Sequence, residues 1–475
     1  MPGIVSYGVY LPYWRLDRAQ IAATLGSPAG RGTRAVASYD EDPTTMAVEA
    51  ARACLASVPD ARARIGQVLF ATSEPPYLDK TNATAIHAAL GLDRGAMAFD
   101  AAGSVNSANG VFVAAANAPV PTLAVFADVR TGMPGGGDEA SGGDGAAAFL
   151  YDPAGDGLLE TLGWGAATAE FLDRWREPGE HASKVWEERF GEHAYVPLAE
   201  EAVAAALKAA GVTPDQIDHL VVTGLHSRAA RAVSRALGTR PDALVDDLGG
   251  AIGNTGAAHA GIVLASLLDV AEPGKLILRV TLADGAMAVV TRTTDALVAF
   301  RSRQRERDRV AAQLASGRSD LSYATFLTWR GELRREPPRR PDPVAPAAPP
   351  SFRYEAWKFG FNAASCARCG TRHLPPAPVC MNCGAVEEMQ DERLAETPAT
   401  VATFTVDRLA FTPNPPLVAA VVDFDGGGRY RCEVTDVDPA AIAIGDRVEM
   451  TFRRISIANG IRNYFWKARP IRGEA

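Results

Sequence analysis

Two hydrophobic rhythms alternate along the first 300 residues. Ala47 to Leu55 (AVEAARACL) and Ala199 to Leu207 (AEEAVAAAL) carry apolar residues at helical spacing. Each segment passes through a polar turn, Val58 to Arg64 and Ala210 to Gln216, into a short apolar run. Those runs, Gln67 to Ala71 and His219 to Thr223, read as buried strands bounded by polar residues. The helical segments agree at Ala47/Ala199, Glu49/Glu201, Ala50/Ala202, Ala53/Ala205 and Leu55/Leu207. A second matched pair, Asp144 to Leu150 (DGAAAFL) and Asp284 to Val290 (DGAMAVV), follows in the same order. Each lies downstream of an apolar strand, Leu123 to Ala127 and Leu276 to Val280. Matched pieces in one order indicate an internal duplication, and its offset brings Glu74 onto His226. Strands alternating with helices predict an α/β fold with two sheets. The helix from Gly256 to Val270 is apolar almost all round, which predicts burial between them.

Beyond residue 300 the pattern changes. Arg303 to Arg309 (RQRERDR) is a mixed-charge run that predicts a solvated helix. Glu336 to Pro350 (EPPRRPDPVAPAAPP) has the composition of a semi-rigid linker, its arginines facing solvent. Next come Cys366-x2-Cys369 and Cys380-x2-Cys383, with Gly370 and Gly384 directly after each pair. Four thiolates at that spacing predict a closed, tetrahedral structural zinc site, with rubredoxin-type iron as the alternative. From Ala399 onward, short alternating runs (Thr400 to Val406, Leu417 to Phe424, Arg429 to Val434, Arg447 to Phe452) predict a five-stranded barrel. The expected division is therefore 1–165 and 166–335 for the two copies, a linker over 336–350, a ribbon over 351–395 and a barrel over 396–475.

Composition narrows the classes. A chain of 475 residues exceeds one hydrophobic core, and 47% hydrophobic with 22% charged residues is ordinary for a soluble globular protein. A formal charge of -8 opposes non-specific binding to nucleic acid or anionic lipid. No apolar run approaches the roughly 18 residues of a membrane span, and the N-terminus lacks a signal-peptide pattern. Six cysteines, four of them clustered, fit metal-site usage in a reducing compartment, so the expected location is cytoplasmic.

Ser73-Glu74-Pro75 after one strand, Gly224-Leu225-His226 after its counterpart, and Gly253 to Ala258 (GNTGAA) before the buried helix resemble the thiolase superfamily. Within it the first 300 or so residues resemble 3-hydroxy-3-methylglutaryl-CoA synthases, with type III ketoacyl synthases next. The resemblance implies a duplicated, layered αβαβα fold that handles thioesters of CoA or of a carrier-protein phosphopantetheine. It also implies a homodimer formed through the first copy. On the matching positions, Glu74 is the general base, His226 hydrogen-bonds the thioester carbonyl and Asn254 helps polarise an oxygen. Chemistry beside a thioester moves a proton at carbon and builds an oxyanion, which a carboxylate and neutral donors serve. The bland readings are a solvated loop carboxylate for Glu74, a structural histidine for His226 and a helix cap for Asn254. His87 and His259 lie in apolar helical runs and read as core or surface residues.

The family's nucleophile is a cysteine at the start of the first copy's buried helix, and Phe99 to Gly110 (FDAAGSVNSANG) contains none. Matching on Gly110, or on the repeat, places Ser104 there; counting from Asp100 places Val105. Cys54 falls within a helix, away from the site. Serine is a weak nucleophile without a base, which leaves three readings. Ser104 is acylated with help from His226; or Claisen, aldol or retro-aldol chemistry runs without a covalent intermediate; or the chain only binds acyl thioesters. The Gly-rich stretch Arg130 to Gly143 reads as a flexible connection or as a wall of the substrate channel. Residues 351–470 resemble the rubredoxin-like zinc-ribbon and OB-fold proteins that accompany thiolases and synthases as separate subunits. The resemblance implies a docking role and the option of a thiolase partner.

Overall fold

The computed structural model describes residues 3–26, 28–339 and 341–473. The elements that build the site begin with β1 (Gly3–Tyr10), α1 (Pro43–Ala56), β2 (Gln67–Thr72), α2 (Ala83–Leu90) and β3 (Met97–Ala102). α3 (Ser107–Ala116), β4 (Thr122–Val129), β5 (Asp144–Asp152) and β6 (Leu159–Ala167) complete the first part. Then come α4 (Glu188–Ala210), β7 (His219–Gly224), α5 (Ser227–Ala236), α6 (His259–Leu268), β8 (Leu276–Leu282) and β9 (Ala286–Thr293).

The first sheet has the order β3-β2-β4-β5-β1 and the second β7-β8-β9-β6. In each, two parallel strands (β2 with β4, β7 with β8) are followed by antiparallel ones, β5 and β1 in the first and β9 and β6 in the second. The sequence repeat is thus a repeat of topology. The counterpart of β3 is reduced to a single bridge, Leu220 to Leu244. α3 and α6 pack between the sheets, α1 covers the outer face of the first and α4 that of the second. That is the five-layered αβαβα arrangement. Nine of the ten residues of α6 are buried, as its all-round apolar sequence requires.

Strands Ala399–Asp407, Leu417–Phe424, Arg429–Val434, Arg447–Ala458 and Ile461–Pro470 close into a barrel. The four barrel strands read from the sequence are all present, and Ile461–Pro470 supplies the fifth. A three-stranded sheet carrying the cysteines precedes it. Among the described residues no helix is long and apolar enough to cross a membrane.

Two expectations need correction. The mixed-charge run is not a solvated helix: the helix Ala296–Arg303 stops at its start, and Gln304 and Asp308 are buried as the chain turns under the barrel. Arg307 there reaches Glu449 of the barrel at 3.6 Å. The Gly-rich stretch is held by buried contacts instead of forming a loose connection. Buried Arg34 donates to the carbonyl of Arg130, and Tyr323 Oη donates to Glu139 at 2.9 Å.

The barrel joins the first copy through charge. Arg453, fully buried on the fourth barrel strand, lies against Glu41, against Asp436 at 2.6 Å and against Asp40 at 3.7 Å. Lys467 reaches Asp40 at 3.0 Å. Despite its burial, Lys467 and Arg453 hold the Asp40 carboxyl down to about 2, while burial pushes that of Glu41 up. Removing one member of such a cluster strands the others in a low-dielectric interior, at about 3–5 kcal/mol. Arg453→Ala is expected to lose that much stability in urea unfolding; a loss below about 1 kcal/mol would show that the cluster does not hold the joint.

Candidate active site

β2 runs parallel to both its neighbours, so the chain leaves its C-terminal end at the edge of the interlayer space. There Asp128, the acidic end of the apolar strand β4, organises the turn. Its Oδ1 accepts from Ser73 N (2.6 Å) and Thr72 Oγ1 (2.9 Å). Its Oδ2 accepts from Ser73 Oγ (2.8 Å) and from Ala257 N (2.6 Å), at the entry to α6. One buried carboxylate therefore ties the first-copy turn to the second-copy helix and fixes where Glu74 emerges.

A cavity of about 540 Å³ opens at this point. Glu74, Ser104 and Val105 all line it, together with Arg130, Arg176 and Tyr195. Arg176 forms an ion pair with Glu74 Oε2, and its Nη2 donates to Ser73 O at 2.7 Å. It belongs to the segment between β6 and α4, where Arg174–Trp175 pairs with Lys184–Val185 and Arg174 reaches Asp138 at 2.5 Å. Ser104 Oγ accepts from Asn106 N at 3.1 Å. No hydrogen bond joins it to Glu74 or His226 among the described residues.

His226 caps α5, its Nδ1 accepting from Ala229 N at 3.0 Å. That bond leaves the proton of the neutral ring on Nε2, which is buried without a partner. The ring does not itself line the cavity; it lies behind Leu225 and Tyr195, 6.1 Å from the Tyr195 ring. Gly191 of α4 makes the room, since a Cβ there would stand 2.4 Å from Nε2. Tyr195 bonds Asp173, whose carboxyl is pushed up by burial.

Asn254 is committed to the backbone: Nδ2 donates to Gly224 O at 2.8 Å, and Oδ1 accepts from Gly256 N at 3.0 Å. It braces the His226 turn against the start of α6 and is not among the residues lining the cavity. Its residue is also pinned by the Gly-rich wall, through Asn254 N to Ser141 O (2.8 Å) and Gly143 N to Asn254 O (2.9 Å). His259 is core and His87 lies on an outer helix. Cys54 is fully buried in α1 with its thiol pushed up to about 12 by burial, unfit as a nucleophile.

Asp128, Arg176, Tyr195, Asp173 and Gly191 escaped the sequence reading. Only Asp128 left a trace there, as the acid directly after the apolar run Leu123 to Ala127.

The hydroxymethylglutaryl-CoA synthase of Caldivirga maquilingensis is 30% identical over 349 residues, covering 69% of this chain and 97% of that protein. The chain belongs to the hydroxymethylglutaryl-CoA synthase family. Two family models match within it: the C-terminal region of 3-oxoacyl-[acyl-carrier-protein] synthase III over residues 207–292, and the ChsH2 C-terminal OB-fold domain over 392–453. In fold the chain is similar to a hydroxymethylglutaryl-CoA synthase solved with CoA (TM-score 0.59, 18% identity, 69% of this chain and 89% of that one). It is also similar to the curacin-pathway synthase solved with an acetyl donor acyl carrier protein (TM-score 0.58, 21% identity, 69% and 88%). Each likeness covers about two thirds of this chain.

The second constellation is the cysteine cluster. The sulfurs of Cys366, Cys369, Cys380 and Cys383 lie within 4.8 Å of one another, with Cys366–Cys383 at 3.7 Å and Cys369–Cys380 at 3.5 Å. A tetrahedron of thiolates about 2.3 Å from a metal has edges of about 3.8 Å, so the donor set fits. Gly370 and Gly384 adopt φ of 73° and 72°, and each donates back to the first cysteine of its pair. This left-handed turn is what the glycines supply. Elemental analysis of the purified chain is expected to give one metal ion per chain. Cys380→Ser is expected to lose it and to loosen the ribbon; retention of full occupancy would show that the ion is held elsewhere.

Proposed function

We propose that this chain makes or breaks a carbon–carbon bond next to a thioester of CoA or of a carrier-protein phosphopantetheine, or transfers the acyl group. The observation that carries the reading is the cavity that Glu74 lines together with Ser104, at the turn where Asp128 joins the two copies, with His226 behind its Leu225 and Tyr195 wall. In the condensing direction, Glu74 takes a proton from the carbon next to the thioester, and that carbon attacks a carbonyl. The oxyanion then forming is served by a neutral imidazole N–H, a donor that costs no charge separation. Run backwards, the same groups break the bond and return the proton to carbon. Arg176 must release Glu74 before either step, since a carboxylate held in an ion pair is a poor proton acceptor. Asn254 acts in this scheme by positioning the His226 turn.

Within the proposal, the lack of any base on Ser104 favours bond making or breaking on the bound thioester without an acyl-enzyme. Glu74→Gln is expected to lower turnover of accepted acyl-CoAs by about 10²–10⁴-fold. Ser104→Ala is expected to keep most of it, with no adduct in intact-protein mass spectra. A covalent adduct on Ser104 would reverse that preference, and unchanged turnover in Glu74→Gln would remove the assignment altogether.

We assign zinc to the cysteine cluster, in a structural role, because four thiolates leave no coordination position open. We also propose a homodimer through β3. That edge strand exposes Met97 and Phe99, and α3 beside it exposes Val113. An unpaired apolar edge invites a second strand. Phe99→Lys is expected to convert the dimer to a monomer in light scattering; a wild-type chain that is already monomeric would refute the pairing.

A further inference from the structure

The proposed chemistry leaves Arg130 unused, although it lines the same cavity as Glu74 and Ser104. Its side chain sits in a prepared slot. Arg130 N donates to Asp144 Oδ1 at 2.9 Å and its carbonyl accepts from Arg34 at 2.9 Å, which pins the backbone on both sides. A Cβ on Gly142 would stand 3.0 Å from Arg130 Cβ, and one on Gly256 3.0 Å from its Cδ. Two glycines therefore keep room for the stem, and the residue is only 8% exposed.

The guanidinium is not spent within the protein. Its one side-chain hydrogen bond runs from Nη1 to Ser73 Oγ at 3.3 Å, a neutral acceptor whose own hydrogen goes to Asp128. The acids that act on it are Asp128 and Asp138. Asp128 already accepts from four donors, which fills both its oxygens, and Asp138 is taken by Arg174. Among the described residues Arg130 forms no ion pair, and its Nε and Nη2 have no protein acceptor yet are not sealed from solvent. Nε–H and Nη2–H are the side-on edge of the fork, two parallel donors that match the two oxygens of a carboxylate.

The nucleophile position points the same way. Phe99 to Gly110 offers no thiol, and Ser104 bonds neither Glu74 nor His226. A reactant that is not itself a thioester must then be held without a covalent bond. We propose that this second reactant is an oxo-acid, a carboxylate that also carries an aldehyde or ketone carbonyl, and that the open edge of Arg130 grips its carboxylate. The assignment rests on the thioester reading of the cavity. Glu74 takes the proton from the carbon next to the thioester, and that carbon bonds to the oxo carbon. The carbonyl electron pair moves to oxygen, which receives the same proton back. The product is a hydroxy-acid thioester, and no oxidant or further reactant enters; run backwards, the oxo-acid leaves. Arg130 bonds the residue directly before the base, so its grip sets the carbonyl beside the carbon that Glu74 deprotonates.

The test is titration calorimetry of the full chain saturated with pivaloyl-CoA or pivaloyl-pantetheine, thioesters with no proton on the adjacent carbon, which bind without turning over. Pyruvate, 2-oxobutyrate and 2-oxoglutarate are then titrated in against their methyl esters. At least one acid is expected to bind saturably, about tenfold or more tighter than its ester. Arg130→Gln is expected to abolish that preference and keep the thioester affinity. Arg130→Lys, which keeps the charge and loses the paired edge, is expected to cut the preference severalfold and serves if the first variant does not fold. Thioester binding with acids held no tighter than esters would overturn the proposal and leave the proposed function standing. So would a preference undiminished in whichever variant folds. Failure of both thioesters to bind would instead remove the proposed function, and the oxo-acid site with it.

Discussion

The buried charge cluster around Arg453 is the constraint on which the architecture rests. Moving several full charges out of water costs several kcal/mol each, and only close opposite charges offset it. Asp40 and Glu41 belong to the short segment that leads into α1, whereas Arg453, Lys467 and Asp436 belong to the barrel module. Neither side can bury its charges alone, so neither completes its interior without the other. The same segment continues into Asp42, which caps α1 through Thr45 N and accepts from Tyr464 of the barrel at 2.8 Å. One stretch of three acids thus sets the start of a core helix and the seat of the barrel together. α1 in turn packs on the first sheet, whose central strand delivers Glu74.

A second buried carboxylate plays the corresponding part at the site. Asp128 gathers the β2 turn and the entry to α6, one from each copy, so the position of Glu74 depends on both halves of the duplication. Asn254 does the same work from the other side, linking the His226 turn to the Gly-rich wall of the first copy. The family resemblance implied an oxyanion role for this amide, and one of its two N–H groups also braces the His226 turn through Gly224 O. The two copies are therefore joined by polar contacts at the site itself and by apolar packing of α3 and α6 beneath it.

The active-site residues fall into two kinds. Glu74 and Ser104 face an open cavity, while His226 lies behind Leu225 and Tyr195 with the Nε2 edge of its ring against Gly191. Arg176 engages Glu74 from the segment between β6 and α4, which Arg174 ties to Asp138.

The duplication, the strand–helix order, the barrel and the cysteine knuckles were all legible in the linear chain. Each is written in local spacing: period-two and helical patterns, paired cysteines, and glycines where the backbone must turn left-handed. The equivalence of Glu74 and His226 followed from the same spacing, because equivalent strands end at equivalent places. What the chain by itself could not reveal was the partner of each polar side chain. The run at Arg303 to Arg309 reads as solvated charge until Glu449 arrives from 140 residues away to meet it. Nothing near Asn254 in sequence shows that Gly224 O takes one of its amide hydrogens, and Gly191 is an unremarked helix residue until His226 fills the space beside it. Backbone form is chosen largely by near neighbours in sequence, and the energy of a buried polar group is settled by whichever distant atom comes within about 3 Å of it.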